Sequence, residues 1–264
     1  MQWKKLKEIV VFFNSGICLF NIYRENEMGC IGLIIAGGTG ERMGQSIPKQ
    51  FLNVYDKPVI VYTMEAFQRC KKVDHIIVVS VEGWDNMIWA YAKQFGITKL
   101  KSIVCGGECG QESIYNGIIE IHKYFSENDI VLVHDAIRPM VSEEIIEDCI
   151  RVVEEKGNAI TVIPCQEAML ETQNEESTTS SYPRNQLKRT QTPQGFYLKD
   201  MLSMHTEAEQ KGITNSIATC TLAVELGYTL FFSKGSEKNL KLTTVDDLDI
   251  FKALLKQEKG DWLK

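Results

Sequence analysis

Leu33-Ile34-Ile35-Ala36-Gly37-Gly38-Thr39-Gly40-Glu41-Arg42-Met43-Gly44, with Pro48-Lys49-Gln50 a few residues further on, decides how this chain folds. The apolar half has the composition of a buried strand, and glycines crowd its end. Without a Cβ, glycine lets backbone N–H groups approach an anion closely, and a positive φ costs it little. Arg42 and Lys49 add full positive charges behind the loop. A strand that opens into such a loop predicts a phosphate-holding nucleotide site. The spacing separates it from commoner phosphate loops. No Gly-Lys-Ser/Thr follows, as a Walker A loop requires, and Met43 stands where the third glycine of a strict dinucleotide fingerprint belongs.

Working outward, apolar runs at 31–36, 75–81, 102–104, 130–134 and 159–164 alternate with segments of helical period at 59–68, 84–95, 112–125 and 143–155. Strand and helix in alternation predict an α/β fold, a single domain with a mostly parallel central sheet covered by helices on both faces. Ligands of such sheets sit at the carboxyl ends of the strands. The glycine loop follows the first strand and His134-Asp135 closes a later one, so both are expected at one cleft. Between 164 and 190 the pattern breaks, and 171–181, rich in Glu, Ser and Thr, reads as an exposed tip or a disordered surface loop. Helices are expected again at 198–211 and 218–226, a strand at 229–233, and a closing helix at 245–257 after Thr243-Thr244.

The composition narrows the function classes. With 264 residues, 44% of them hydrophobic, the chain has enough apolar material for one substantial core. A formal net charge of −6 argues against a nucleic-acid binder, so an anionic substrate has to be met by locally gathered Arg and Lys. The eight cysteines follow no framework spacing and suit free thiols in a reducing, cytoplasmic compartment. Cys105 and Cys109 form a close pair without the second pair a zinc site would need. Lys4, Lys5 and Lys7 precede an apolar run at 9–20 that imitates a signal peptide, but the run is too short to span a bilayer and no small-x-small cleavage site follows. Residues 1–27 are therefore taken as an N-terminal extension, either a translated upstream segment or a start read too early, in preference to a targeting signal or membrane anchor, and 28–264 as the domain, with no membrane partner.

The loop resembles the opening of the cytidylyltransferases that act on polyol phosphates, the family that includes 2-C-methyl-D-erythritol 4-phosphate and ribitol-5-phosphate cytidylyltransferases. The likeness continues through Pro48-Lys49-Gln50-Phe51-Leu52, Gly106-Gly107 with Ser113, His134-Asp135-Ala136-Ile137-Arg138-Pro139, Thr192-Pro193-Gln194 and Asn239-Leu240-Lys241-Leu242-Thr243. It implies a Rossmann-like domain with a protruding β-arm, at about 165–190, that embraces a second subunit in a homodimer. It also implies transfer of CMP from CTP to a polyol phosphate, with Mg²⁺ as the divalent cation. The resemblance places Ala36, Gly37, Gly38, Thr39, Gly40, Gly107 and Ser113 around the nucleotide. Arg42, Lys49 and Lys241 become the catalytic cations and Asp135 the metal ligand. Arg138, Thr214 and Arg184 go to the acceptor, Arg184 reaching into the partner's site.

The residues alone leave other readings open. Lys241 could be a solvated lysine, Asp135 or Ser113 a helix cap, Arg184 an ordinary surface arginine, and Arg138 the partner of a neighbouring carboxylate. His134 is expected to be structural, since an ionised phosphate nucleophile needs no base. The chain also departs from the family pattern. Gly110 stands where an arginine is usual three residues before the serine, Ile137 stands where the methylerythritol branch typically has alanine and the ribitol branch tends to have valine, and 214–221 lacks an acidic pair. Two alternatives stay in play: a sugar-1-phosphate or molybdenum-cofactor type nucleotidyltransferase, which also opens with a Gly-Gly-x-Gly-x-Arg-Met loop, and a nucleotide-binding paralogue without turnover, which Gly110 and the missing acidic pair motivate.

Overall fold

The computed structural model describes residues 28–38 and 47–261, with side chains as far as 257. The N-terminal extension expected at 1–27 lies outside the described residues. The decisive run forms β1 (Cys30–Ala36), and β2 (Asn53–Val54) and β3 (Lys57–Pro58) make a small ribbon after the loop. Helix and strand then alternate as α1 (Val59–Arg69), β4 (His75–Ser80), α2 (Asp85–Gln94), β5 (Leu100–Cys105), α3 (Gly110–His122), β6 (Ile130–Asp135), α4 (Glu143–Lys156) and β7 (Asn158–Pro164). Next come β8 (Met169–Glu171), β9 (Ser180–Tyr182), β10 (Lys188–Tyr197), α5 (Leu198–Lys211), α6 (Thr219–Glu225), β11 (Phe232–Lys234) and α7 (Val245–Asp261).

Seven strands form the central sheet in the order β11-β7-β10-β6-β1-β4-β5. β1 runs parallel to both neighbours, β4 and β6, and β10 is antiparallel to β6 and β7. Period-two alternation along β1 sorts its side chains between two cores. Ile31 and Leu33 join Ile118 of α3 and Met204 of α5 on one face, while Ile34 joins Phe67 of α1, Ile88 of α2 and Ile146 of α4 on the other. Each such side chain taken from water contributes about 1.5–3 kcal/mol, which fixes these short runs as central strands. Gly32 is glycine for space: an ideal Cβ there would lie 2.5 Å from a ring carbon of Phe67.

Besides the small β2–β3 ribbon, which was not anticipated, β10, α3 and β11 differ from expectation. β10 was not anticipated, because its sequence is polar and carries Pro193; its pairing with β7 shifts register between Thr190 and Gln194. α3 starts at Gly110, before the expected 112, because the Cys109 thiol caps it by accepting the Glu112 N–H at 3.5 Å. The strand expected at 229–233 is shorter and later, since Phe232–Lys234 is the part that registers with Ile160–Val162. The segment 171–181, read as an exposed tip or a disordered loop, is the tip of an exposed two-stranded ribbon in which Met169 pairs with Tyr182, within the span of the implied arm.

β1 lies where the chain order of the sheet reverses, with β4 and β5 on one side and β6 on the other. A crevice opens at the carboxyl ends of strands at such a switch point.

Candidate active site

At that crevice the ends of β1 and β6 share a cleft of about 570 Å³ with Lys49, Ser113 and Lys241. A larger hollow of about 950 Å³ lies between α1 and the start of α4. Its two cations are already paired, Lys57 with Glu65 at 2.7 Å and Arg69 with Glu143 at 3.6 Å, and Asp56 and Glu144 add further carboxylates to its lining. The smaller cleft combines glycine backbone with cations, and it is the one suited to a polyanion.

On the β1 side, Gly37 and Gly38 line the cleft, and Ala36 closes the strand beneath them. Gln50, 1% exposed, holds this turn from below. Its Nε2 donates to the carbonyl oxygens of Ala36 at 2.6 Å and Gly38 at 3.0 Å. With the Ala36 carbonyl turned down onto the buried amide, the Gly37 N–H of the same trans peptide points the opposite way. Lys49 opens the short 3-10 turn that carries Gln50 and also lines the cleft. Thr39, Gly40 and Arg42 lie outside the described residues.

Ser113 locks the second glycine segment against the first. Its Oγ accepts the Gly107 N–H at 3.0 Å, while the Gly106 N–H goes to the Ser80 carbonyl at 2.8 Å. A Cβ on Gly37 or Gly106 would come within 3.3 or 3.0 Å of the same Oγ. The helix cap here is Cys109, so the buried Ser113 hydroxyl serves the glycines, not the helix end.

On the β6 side, Asp135 is doubly paired. Oδ2 takes the Arg138 Nε at 3.1 Å and Oδ1 the Lys241 Nζ at 3.2 Å. Burial pushes its carboxyl pKa upward, but Lys241 and Arg138 outweigh that and hold it below the usual range. Arg138 spends its Nη1 on the Asn239 carbonyl at 2.8 Å, so it ties the strand end to the segment that presents Lys241. Of the two partners sequence allowed for Arg138, the neighbouring carboxylate is the one it meets here.

Beneath Asp135 runs a chain of hydrogen bonds. The Asp135 N–H donates to Thr192 Oγ1 at 3.1 Å, and that hydroxyl lies 3.0 Å from His134 Nδ1. His134 Nε2 is 3.2 Å from the Arg138 carbonyl, which can only accept. The ring is therefore protonated on Nε2, and Nδ1 accepts from Thr192. Burial pulls the His134 pKa down to about 4, so the ring is neutral at pH 7 with both nitrogens engaged. It is the structural residue the sequence led one to expect.

Neither Thr214 nor Arg184 lines the cleft. Thr214 is exposed and its carbonyl receives the Cys109 thiol at 3.4 Å. Arg184 sits on the arm, where its Nη1 donates to the Gln166 carbonyl at 3.1 Å. Sequence reasoning quoted Gln50 and Thr192 within motifs without giving them a task. It missed Gln191, whose amide donates to the Ser236 and Asn239 carbonyls at 2.8 and 3.3 Å and so shapes the segment before Lys241. A glutamine inside a run as polar as 188–194 carries no pattern that marks it.

Among the described residues no group of three or more His, Cys, Asp or Glu side chains is gathered to hold a metal. Asp135 offers one carboxylate, which suits Mg²⁺ only when substrate phosphates complete the shell.

Comparison with known proteins follows the same lines. The sequence model of the IspD family, described as 2-C-methyl-D-erythritol 4-phosphate cytidylyltransferase, matches residues 30–257. The chain is 42% identical over 229 residues to a ribitol-5-phosphate cytidylyltransferase of Lacticaseibacillus paracasei, covering 86% of this chain and 98% of the relative. It is 34% identical over 231 residues to a 2-C-methyl-D-erythritol 4-phosphate cytidylyltransferase of Clostridium acetobutylicum, covering 87% and 98%. The crystal structure of 4-diphosphocytidyl-2C-methyl-D-erythritol synthase from Anaerococcus prevotii superposes with a TM-score of 0.73 at 22% identity, over 87% of this chain and 99% of that one, which speaks for the fold.

Proposed function

This chain belongs to the 2-C-methyl-D-erythritol 4-phosphate cytidylyltransferase family, and from that premise we propose that it transfers CMP from CTP to D-ribitol 5-phosphate, giving CDP-ribitol and pyrophosphate. The observation that carries the reaction type is the meeting of two glycine segments, two lysines and one paired aspartate at the switch point of the sheet. The acceptor rests on the relatives, 42% identical for ribitol 5-phosphate against 34% for methylerythritol phosphate.

In this reaction a phosphate oxygen of the acceptor attacks the α-phosphorus of CTP in line, and the bond to the pyrophosphate oxygen breaks. Both reactants are polyanions, so the work is charge neutralisation and alignment, with no nucleophilic side chain required. Gly37 and Gly38 offer backbone donors to the triphosphate, and Arg42 with Lys49 are assigned the charge that builds on it. Lys241 is held by Asp135 until an anion competes for it, at which point its ammonium can shift to the phosphate. Gly107 and Ser113, fixed to each other, form the wall for the base. Mg²⁺, when carried in on the triphosphate, supplies further charge neutralisation, and Asp135 would lend it one oxygen. Arg138, engaged with Asp135 and Asn239, keeps that carboxylate in place and is the acceptor's nearest candidate cation on the β6 side.

The finer features follow from the same reading. The exposed ribbon β8–β9, with Leu170 64% exposed, supports a homodimer in which Arg184 serves the partner's acceptor. No helix among the described residues is long and apolar enough to cross a membrane, and we place the enzyme in the cytoplasm with its CTP. The test is pyrophosphate release by the purified protein with Mg²⁺ and CTP, run in parallel with D-ribitol 5-phosphate and 2-C-methyl-D-erythritol 4-phosphate. Turnover with ribitol 5-phosphate is expected. Turnover with the methylerythritol compound alone reassigns the acceptor, and a preference for GTP or UTP over CTP overturns the reading.

A further inference from the structure

Lys241 stands on a partition. It lines the main cleft on one side and, with Arg138, Thr190 and Gln191, a second hollow of about 260 Å³ on the other. With a hollow on either side, packing at Lys241 does not fix its backbone, and the chain before and after it has to do so. Downstream the hold is apolar: Leu242, 2% exposed, packs with Phe251 of α7, and its N–H donates to the Ile137 carbonyl at 2.9 Å. Upstream, Leu240 is half-buried at the second hollow, and the hold passes to a polar clamp.

Gln191, itself buried, spends its whole side-chain amide on the loop 235–239. Nε2 donates to the Ser236 carbonyl at 2.8 Å and the Asn239 carbonyl at 3.3 Å, while Oε1 accepts the Ser236 N–H at 3.2 Å and Asn239 Nδ2 at 3.4 Å. Both hydrogens and both lone pairs are thus engaged. The loop is shaped to this amide, since a Cβ on Gly235 would lie 2.4 Å from Oε1. The register shift between Thr190 and Gln194 lies at the same residue, as expected where a bulge re-aims a side chain out of the ladder. Asn239, fully buried, passes the hold on. Its Nδ2 donates to the Thr192 carbonyl at 2.8 Å, and its own carbonyl also takes Arg138 Nη1 at 2.8 Å. Two residues later Lys241 Nζ meets Asp135 Oδ1 at 3.2 Å. A buried amide with every partner in place favours one geometry, because any lost bond leaves a desolvated polar group behind.

We infer that Gln191 is a positioning residue for the transfer: through Asn239 it sets where Lys241 and Arg138 stand relative to Asp135, and so keeps the Lys241 ammonium within reach of the reacting phosphate. The catalytic use of Lys241 rests on the reading under Proposed function; the clamp itself does not. An ammonium on a flexible stem acts well only from a fixed backbone, and misplacing such a group by about 1 Å costs on the order of a hundredfold in rate.

Gln191→Met keeps the length of the side chain and removes all four bonds. In assays with Mg²⁺, CTP and D-ribitol 5-phosphate it should lower kcat by about ten- to a hundredfold, with the KM for CTP within about threefold, because the β1 side still holds the triphosphate. Gly235→Ala crowds the same amide from the loop and should lower kcat in the same sense. Repeating Gln191→Met in Lys241→Ala separates action through Lys241 from general loosening. If Gln191 acts through Lys241, the added substitution lowers kcat by less than about twofold further, whereas an equal factor in both backgrounds overturns the assignment. Amide hydrogen exchange reads the clamp without turnover. In Gln191→Met it should speed across 235–241 and stay unchanged along β1, and unchanged exchange at 235–241 overturns the clamp. Should the wild type turn over no polyol phosphate, the functional reading fails separately, and the exchange measurement still decides the clamp.

Discussion

Gln50 is where a single substitution should disturb nucleotide binding through the turn it holds, since its amide is spent on two carbonyls of that turn. Gln50→Met keeps most of the side-chain volume, so little cavity is left, but it removes the Nε2 donor from the carbonyls of Ala36 and Gly38. Each of these bonds is worth a net 0.5–1.5 kcal/mol, so the pair contributes about 2 kcal/mol to holding the turn. The turn is buried on the Gln50 side, and its freed carbonyls recover a partner only by rotating toward the cleft. Rotation turns N–H groups away from the phosphates. If the whole contribution acts on the binding-competent form of the loop, CTP affinity should fall about 30-fold, since about 1.4 kcal/mol corresponds to a factor of ten. Calorimetric titration of CTP into wild type and Gln50→Met, with urea denaturation to show that both are folded, makes the comparison. Affinity within twofold of wild type in a folded variant would refute the idea that the carbonyls are held down so that the N–H groups face outward.

Much of this architecture is legible in the sequence where burial and pattern coincide. Ile31, Leu33 and Ile34 are fully buried in a strand enclosed on both faces, so their unbroken apolar run is the direct imprint of that burial. The helices α1, α4 and α5 fall within a residue or so of their expected bounds, because an amphipathic period has to match the face that packs. β10 escaped because it is an inner strand made of polar residues. Gln191, Thr192 and Gln194 are placed in it to bond the segments around the cleft, and their burial is compensated by hydrogen bonds that no periodicity announces. The site divides in the same way. That Gly37, Gly38 and Asp135 meet at one cleft was readable, since each follows or closes a buried apolar run at a strand end. The amides that hold the parts together were not, because Gln50 and Gln191 act across 14 and 45 residues respectively.

The remaining expectations concern stability. Gly32→Ala, which improves β propensity, should nevertheless lower the urea stability by about 1–3 kcal/mol because the new Cβ falls 2.5 and 2.9 Å from ring carbons of the buried Phe67. Phe67→Leu in the same chain should relieve part of that loss, and independent, additive effects would show that the ring is not the obstacle. Thr192→Val keeps the shape but orphans the Asp135 N–H and the His134 Nδ1, and should cost about 2 kcal/mol by the same denaturation assay. Acid should act through the imidazoles. Burial pulls His134 and His205 down to about 4, against about 6.5 in the unfolded chain. Between those values the unfolded state binds the extra protons, so stability is present above the unfolded value and is lost as pH falls toward the folded one. Each ring can remove at most about 1.4 kcal/mol per pH unit, or roughly 2 kcal/mol between pH 6.5 and 5, a window above the range where Asp135 and most carboxylates titrate. Protonated His134 would also turn a second donor toward Thr192, forcing that hydroxyl to give up its bond to Nδ1. Urea midpoints at pH 7, 6 and 5 should therefore fall steadily, and His205→Phe should reduce the slope by less than half, because burial lowers the pKa of His75 as well as that of His134. A flat profile over this window would mean that these rings take up protons in the folded protein as readily as in the unfolded chain, and the hydrogen-bond chain from Asp135 through Thr192 to the Arg138 carbonyl could not then be as drawn.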